Sequence, residues 1–248
     1  KYIKGSAYMR IDKNSWLAKQ PIAHRGLWSE SIPENSLPAY KKAAEKNYPV
    51  EIDVYLTKDN VIVSFHDDTL SRMTGQDGHV WDYTYDELQA FRLNGSEHTI
   101  PRLSEILALC ENRSPLLIEI KDQPNGKFLV EKLVSALKKY EGEFAVQSFN
   151  PLYIAKIRKL APEFIRGVLA TTEVSMLKSA IKRHIVKNMS LNFLAKPDFV
   201  SYDYKGYPLP DRKVKNKVCL AWTVTSYEIW DKIKPYVDNI IFEGFSLD

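Results

Sequence analysis

Residues 21–40 read PIAHRGLWSESIPENSLPAY, and the chemistry-bearing types crowd together there. A short apolar run ends in His24, Arg25 and Gly26. An imidazole with a free pKa of about 6.5 can accept or donate a proton at neutral pH. Arg25 is a forked donor suited to phosphate oxygens. Gly26 lets the backbone turn sharply or come close behind them. Glu34 and Asn35 stand in the loop before a helical pattern and would hang over the same rim. Their plainer reading is a capping arrangement.

Two further runs carry charge where apolar residues are expected. VEIDVY, residues 50–55, holds Glu51 and Asp53; LLIEIK, residues 116–121, holds Glu119 and Lys121. Strand residues i and i+2 share a face, so each pair projects together. Carboxylates inside apolar strands are costly unless neutralised. Converging at one rim, Glu51, Asp53 and Glu119 would suit a hard divalent cation, Ca²⁺ or Mg²⁺. The alternative is a salt-bridge network in which Lys121 and Arg25 answer the acids. His66 ends a third run, VIVSFH, and is a candidate for the same rim as His24. Two imidazoles can divide the labour, one deprotonating a nucleophile and the other protonating a leaving oxygen. Asp67 follows His66 directly, and adjacent strand residues face opposite sides, so contact between them is not required. His79, His98 and His184 are assigned to solvent. Together these groups suggest hydrolysis of a phosphodiester.

The elements that must position these groups alternate along the chain. Strand candidates are 21–25, 50–55, 61–66, 116–120, 144–148, 165–170, 199–203, 218–224 and 239–243. Helix candidates are 36–47, 104–111, 127–140, 151–160, 173–188 and 226–235. Ser36 is a plausible N-cap, and Asn150-Pro151 pairs an N-cap with proline at the first helical position. Such alternation implies a parallel sheet and recurs often enough to close a (β/α)₈ TIM barrel. Nine runs exceed eight strands, but only Leu56 to Asn60 join the second and third. A parallel crossover needs about a dozen residues, so these two form an antiparallel hairpin. A turn centred on Asp59 sets residue 66 opposite residue 52. Residues 67–100 then interrupt the rhythm as a small insertion, either a surface excursion or a cover over the barrel mouth.

Composition agrees. The 248 residues are 44% hydrophobic and 27% charged, ordinary for a globular chain, and one barrel domain accounts for all of them. A net charge of +4, scattered in sign, is compatible with an anionic small-molecule substrate and gives no signature of nucleic-acid binding. Cys110 and Cys219 exclude a disulfide framework or cysteine-rich zinc site and read as small core residues. No apolar run is long enough to span a bilayer. The chain begins at Lys1, which leaves room for a removed signal peptide or anchor upstream.

The motifs also resemble the glycerophosphodiester phosphodiesterases, relatives of the phosphatidylinositol-specific phospholipases C. The resemblance rests on His24-Arg25-Gly26, Pro33-Glu34-Asn35-Ser36, Glu51-Ile52-Asp53-Val54, Thr57-Lys58-Asp59, and His66-Asp67 followed by Leu70, Arg72 and Thr74-Gly75. Ile100-Pro101, Leu103, Glu119-Ile120-Lys121, Gln147-Ser148-Phe149 and Ala221-Trp222-Thr223-Val224 extend it to about residue 225. It implies a barrel with an insertion after His66-Asp67, and a divalent cation held by Glu51, Asp53 and Glu119. It implies acid–base histidines at His24 and His66, with Arg25 and Lys121 facing the phosphate. Glu34, Asn35 and Gln147 would then meet substrate, and Trp222 would line the glycerol side, its plain alternative being a core aromatic. The activity implied is cleavage of a glycerophosphodiester to glycerol 3-phosphate and an alcohol, with water or a substrate hydroxyl attacking. The chain departs from the family at Ile241-Phe242-Glu243-Gly244-Phe245, where Thr-Asp-x-Pro is frequent. That difference is expected to leave the metal ligands and histidines untouched. Competing readings are a phospholipase on intact phospholipid or polymeric glycerophosphate, and a barrel that binds phosphorylated ligands without turnover. Trp81, Tyr83 and Tyr85, read as exposed, would permit peripheral membrane contact.

Overall fold

The computed structural model describes residues 10–175 and 179–247. Nine strands form one sheet: β1 (Ile22–Ala23), β2 (Val50–Leu56), β3 (Ile62–Ser64), β4 (Leu116–Ile120), β5 (Phe144–Ser148), β6 (Arg166–Ala170), β7 (Phe199–Asp203), β8 (Val218–Val224) and β9 (Asn239–Phe242). Eight are parallel, and β1 pairs with both β2 and β9, which closes the barrel. The ninth, β3, lies antiparallel on β2 with Val54 opposite Ser64 and Leu56 opposite Ile62. That register continues toward the expected pairing of residues 52 and 66. The reason β2 accepts three neighbours is length. β1 has two residues and meets β2 only at Val50, so the upper part of the seven-residue β2 is left for β3. The hairpin therefore carries His66 back to the rim above the short β1.

The helices are α1 (Trp16–Lys19), α2 (Leu37–Glu45), α3 (Ser71–Thr74), α4 (Tyr85–Leu88), α5 (Leu103–Cys110), α6 (Gly126–Leu137), α7 (Pro151–Leu160), α8 (Ala180–Asn188), α9 (Asn192–Ala195), α10 (Asp211–Val214) and α11 (Tyr227–Ile233). Ser36 caps α2 by accepting from the Ala39 amide, and Asn150 caps α7 by accepting from the Leu152 amide. The helix expected from residue 173 starts at Ala180; residues 176–178 lie outside the described residues. Ser179 supplies the N-cap of α8, and upstream the Asp203 carboxylate takes the Thr172 hydroxyl at 3.0 Å.

Apolar residues sit on both sides of the barrel wall. Outside, Val50, Ile52, Val54, Ile118 and Val146 pack against α2, α5, α6 and α7. Inside, Ile22, Leu117, Ala145, Phe199, Val218, Leu220 and Ile241 form a floor, closed by Ile11, Leu17 and Ala18. Each large side chain so buried contributes about 1.5–3 kcal/mol. Asn239 ties the N-terminal segment in place by donating to the carbonyls of Leu17 (3.0 Å) and Gln20 (2.6 Å). Phe199 fits because its neighbour is Gly167, where a Cβ would stand 2.2 Å from the ring. Cys110 and Cys219 are buried, as expected, and burial pushes both thiols up to about 12.

The insertion has its own core on the hairpin, with Tyr55, Val63, Phe65, Leu70, Met73, Val80, Leu88 and Leu93. Trp81, Tyr83 and Tyr85 pack against it and are half-buried rather than exposed, because they supply the apolar area so small a unit lacks. His79, assigned to solvent from sequence, stacks on Trp81 at 4.4 Å, and its Nδ1 lies 2.5 Å from the Asp68 carbonyl. Among the described residues no helix is long and apolar enough to cross a membrane.

Candidate active site

Above the apolar floor the inward positions turn polar. β2 contributes Glu51 and Asp53, β4 contributes Glu119 with Lys121 just beyond it, and β5 contributes Gln147 directly opposite Glu119. All five are buried. The ligand oxygens of Glu51, Asp53 and Glu119 lie within 4.8 Å of one another. Lys121 Nζ sits 2.9 Å from Asp53 Oδ1 and 2.8 Å from Glu119 Oε1. The two sequence alternatives, a salt-bridge network and a convergent acid cluster, are therefore both present. Burial, and then the like charges of Asp53 and Glu119, push the Glu51 carboxyl well above the usual range. Burial opposes ionisation of Asp53 too, but Lys121, His66 and Arg25 hold it below the usual range. The cluster is short of positive charge, and its donors are hard oxygens, so it fits a hard divalent cation.

Arg25 adopts a left-handed backbone (φ 56°), uncommon for a non-glycine residue. That conformation aims its amide at Glu51 Oε2 (3.1 Å) while Nη1 donates to Glu34 Oε1 (2.6 Å). Gly26 follows at φ 83°, where a Cβ would stand 2.7 Å from the Ala39 carbonyl carbon, so this crossing of loop and helix requires glycine. Glu34 and Asn35, expected to meet substrate, are engaged with protein groups. Glu34 also accepts from Arg72 Nη1 and Nη2 at 3.1 and 2.6 Å. Asn35 donates to Asp53 Oδ2 at 2.8 Å, and its carbonyl accepts from Tyr40 (2.7 Å) and Ser64 (3.0 Å). Tyr40, on the buried side of α2, and Ser64, on β3, thus orient the Asp53 carboxylate through Asn35.

Both histidines arrive at this rim, and both lie within the field of Asp53. His24 Nδ1 is 2.6 Å from Glu243 Oε2. The expectation that the altered end of the chain leaves the histidines untouched is therefore corrected. Ile241 points into the barrel, and Glu243, two residues on, keeps its face because its amide still pairs with the Val224 carbonyl (3.1 Å) just past β9. Burial, with help from Arg25, lowers the His24 pKa below its ordinary value, and Glu243 opposes that shift. His66 Nδ1 is 2.7 Å from Asp67 Oδ1. Strand alternation, which leaves this contact open, does not apply here because β3 ends at Ser64 and His66 and Asp67 lie beyond it. Each imidazole thus presents Nδ1 to a carboxylate.

The buried polar atoms of the site that make no hydrogen bond include Arg25 Nε and Asp53 Oδ1, which do have ion-pair partners. Gln147 Oε1 is buried and unpaired, and so is Trp222 Nε1. Trp222 closes the barrel interior edge-on to Phe149, with ring centroids 5.6 Å apart. A buried acceptor and donor left open at one mouth point to a polar ligand. Sequence reasoning missed Glu243, Tyr40 and Ser64. The period-2 spacing of Glu243 from Ile241 was the available signal for the first.

Comparison with known proteins agrees with this geometry. The glycerophosphoryl diester phosphodiesterase family matches residues 24–242. A glycerophosphodiester phosphodiesterase of Caldanaerobacter subterraneus subsp. tengcongensis is 36% identical over 162 residues, 60% of this chain and 65% of that protein. One of Bacillus altitudinis is 34% identical over 161 residues, 60% of this chain and 65% of that protein. The matches thus span about two thirds of those relatives' length. A solved phosphodiesterase of Oleispira antarctica, in complex with the product sn-glycerol-3-phosphate, superposes with a TM-score of 0.77 at 26% identity, covering 90% of this chain and 92% of that one. The chain belongs to the glycerophosphoryl diester phosphodiesterase family.

Proposed function

We propose that the chain hydrolyses glycerophosphodiesters to glycerol 3-phosphate and an alcohol. The observation that carries this reading is two carboxylate-backed imidazoles, His24 with Glu243 and His66 with Asp67, beside a buried acid trio. The Oleispira structure, which holds sn-glycerol-3-phosphate, supports the same substrate class. Arg25 and Lys121 clamp the phosphoryl oxygens, where their charge is worth more than in water. One imidazole takes a proton at Nε2 from the attacking hydroxyl, of water or of the substrate itself. The other delivers a proton from Nε2 to the leaving alkoxide. The carboxylate behind each ring fixes its tautomer and stabilises the imidazolium. Gln147 Oε1 and Trp222 Nε1 offer an acceptor and a donor to glycerol hydroxyls.

Glu51, Asp53 and Glu119 would hold one divalent cation, Ca²⁺ or Mg²⁺, which when bound supplies charge neutralisation at the phosphate. Asn35 acts through Asp53, and Glu34 through Arg25, rather than on substrate directly. Incubation with glycerophosphocholine and either cation should release glycerol 3-phosphate and choline, read by coupled assay. Intact diester after exhaustive incubation with each cation contradicts the reading.

A further inference from the structure

Besides Asp67, the inserted segment sends Arg72 to the catalytic rim. Arg72 lies on α3 and is about half exposed, its side chain being 49% accessible. Its Nε and Nη2 donate to the two oxygens of Asp67 at 2.5 and 2.9 Å. Its Nη1 and Nη2 donate to the two oxygens of Glu34 at 3.1 and 2.6 Å. All three guanidinium nitrogens therefore face a carboxylate, in the double forked geometry that only arginine provides. Each carboxylate passes the constraint on. Asp67 Oδ1 meets His66 Nδ1 at 2.7 Å, and Glu34 Oε1 meets Arg25 Nη1 at 2.6 Å.

Ligand atoms of Glu34, His66 and Asp67 lie within 4.8 Å of one another. Without Arg72 the two carboxylates would repel at short range, and each would carry its catalytic partner with it. We propose that Arg72 is a positioning residue that holds His66 and Arg25 in one register through Asp67 and Glu34. The proton-transfer group and the phosphate clamp are then set together by a side chain of the insertion. The insertion is thereby coupled to the chemistry without touching the reacting atoms. This inference rests on the proposed function only in taking His66 and Arg25 as the groups that meet the diester.

The test pairs kinetics with a signal that needs no turnover. Arg72→Ala should lower kcat/KM on glycerophosphocholine by about 10²-fold, because small misplacement of reacting groups costs that much. The loss should divide, with kcat falling through His66 and KM rising through Arg25. In an Asp67→Asn background the same substitution should lose its kcat effect, and in a Glu34→Gln background its KM effect. Arg72→Lys, which can hold one carboxylate at a time, should recover only part of the loss, and added guanidinium should partly restore Arg72→Ala. Long-range ¹⁵N–¹H NMR of His66, assigned against His66→Asn, should show a fixed Nδ1–H tautomer in the parent and a mixture in Arg72→Ala. Unchanged kcat and KM, additive losses in the double variants, or an unaltered His66 tautomer would overturn the proposal. If the parent leaves glycerophosphodiesters intact, the functional reading fails while the tautomer measurement still decides the role of Arg72.

Discussion

Glu243 Oε2 stands 2.6 Å from His24 Nδ1, so the last barrel strand orients an imidazole carried by the first. Replacing Glu243 by Gln should lower kcat by about 10²-fold, as expected when a ring loses the carboxylate that fixes its tautomer and steadies its charge. The pH dependence has a definite sign. Burial already lowers the His24 pKa, and Glu243 works against that shift. Its removal must lower the pKa further, so the limb of the pH–rate profile that belongs to His24 should move to lower pH. A limb that stays or moves upward would remove Glu243 from this role.

Exhaustive chelation should abolish turnover, and Ca²⁺ or Mg²⁺ should restore it. A second readout does not depend on activity. A cation bound only by the folded chain stabilises it by about 2.7 kcal/mol at a hundred times its Kd. The melting temperature should therefore rise with added cation in the parent protein. It should not rise in Asp53→Asn, which loses one of the three clustered carboxylates. Equal responses in both would make the acid cluster structural.

Gly167 is required by the ring of Phe199, which an added Cβ would meet at 2.2 Å. Gly167→Ala should destabilise the fold by about 1–3 kcal/mol, the usual range for overpacking a core. Urea titration reads this as a lower midpoint at unchanged slope. An unshifted midpoint would mean that the barrel interior relaxes around the added methyl.

The order of elements was legible because each strand is a short apolar run bounded by turn residues, and because Ser36 and Asn150 mark helix starts locally. The hairpin was legible from loop length alone: five residues cannot carry a parallel crossover, and the pairing of Val54 with Ser64 follows from a turn at Asp59. The inward placement of Glu51, Asp53, Glu119 and Lys121 followed from period 2.

Less legible were features set by distant partners. Thr172 bonds to Asp203, 31 residues on. Glu243 meets His24 across 219 residues, and Arg72 meets Glu34 across 38. Local spacing can suggest which face a residue takes, but it does not name the distant partner it meets. Strand alternation leaves the His66–Asp67 contact open, and it stops applying once β3 ends at Ser64. Spacing alone reads Trp81, Tyr83 and Tyr85 as exposed, because it does not reveal the insertion's small core that they complete.

The central claim is that His24 and His66 share proton transfer at one mouth. The most direct measurement is ³¹P NMR of glycerophosphocholine turnover by the parent, His24→Ala and His66→Ala, with cation supplied. The account predicts conversion of the diester resonance to that of glycerol 3-phosphate by the parent, and rates at least about 10²-fold lower in each variant. Parent-like rates in both variants would contradict it.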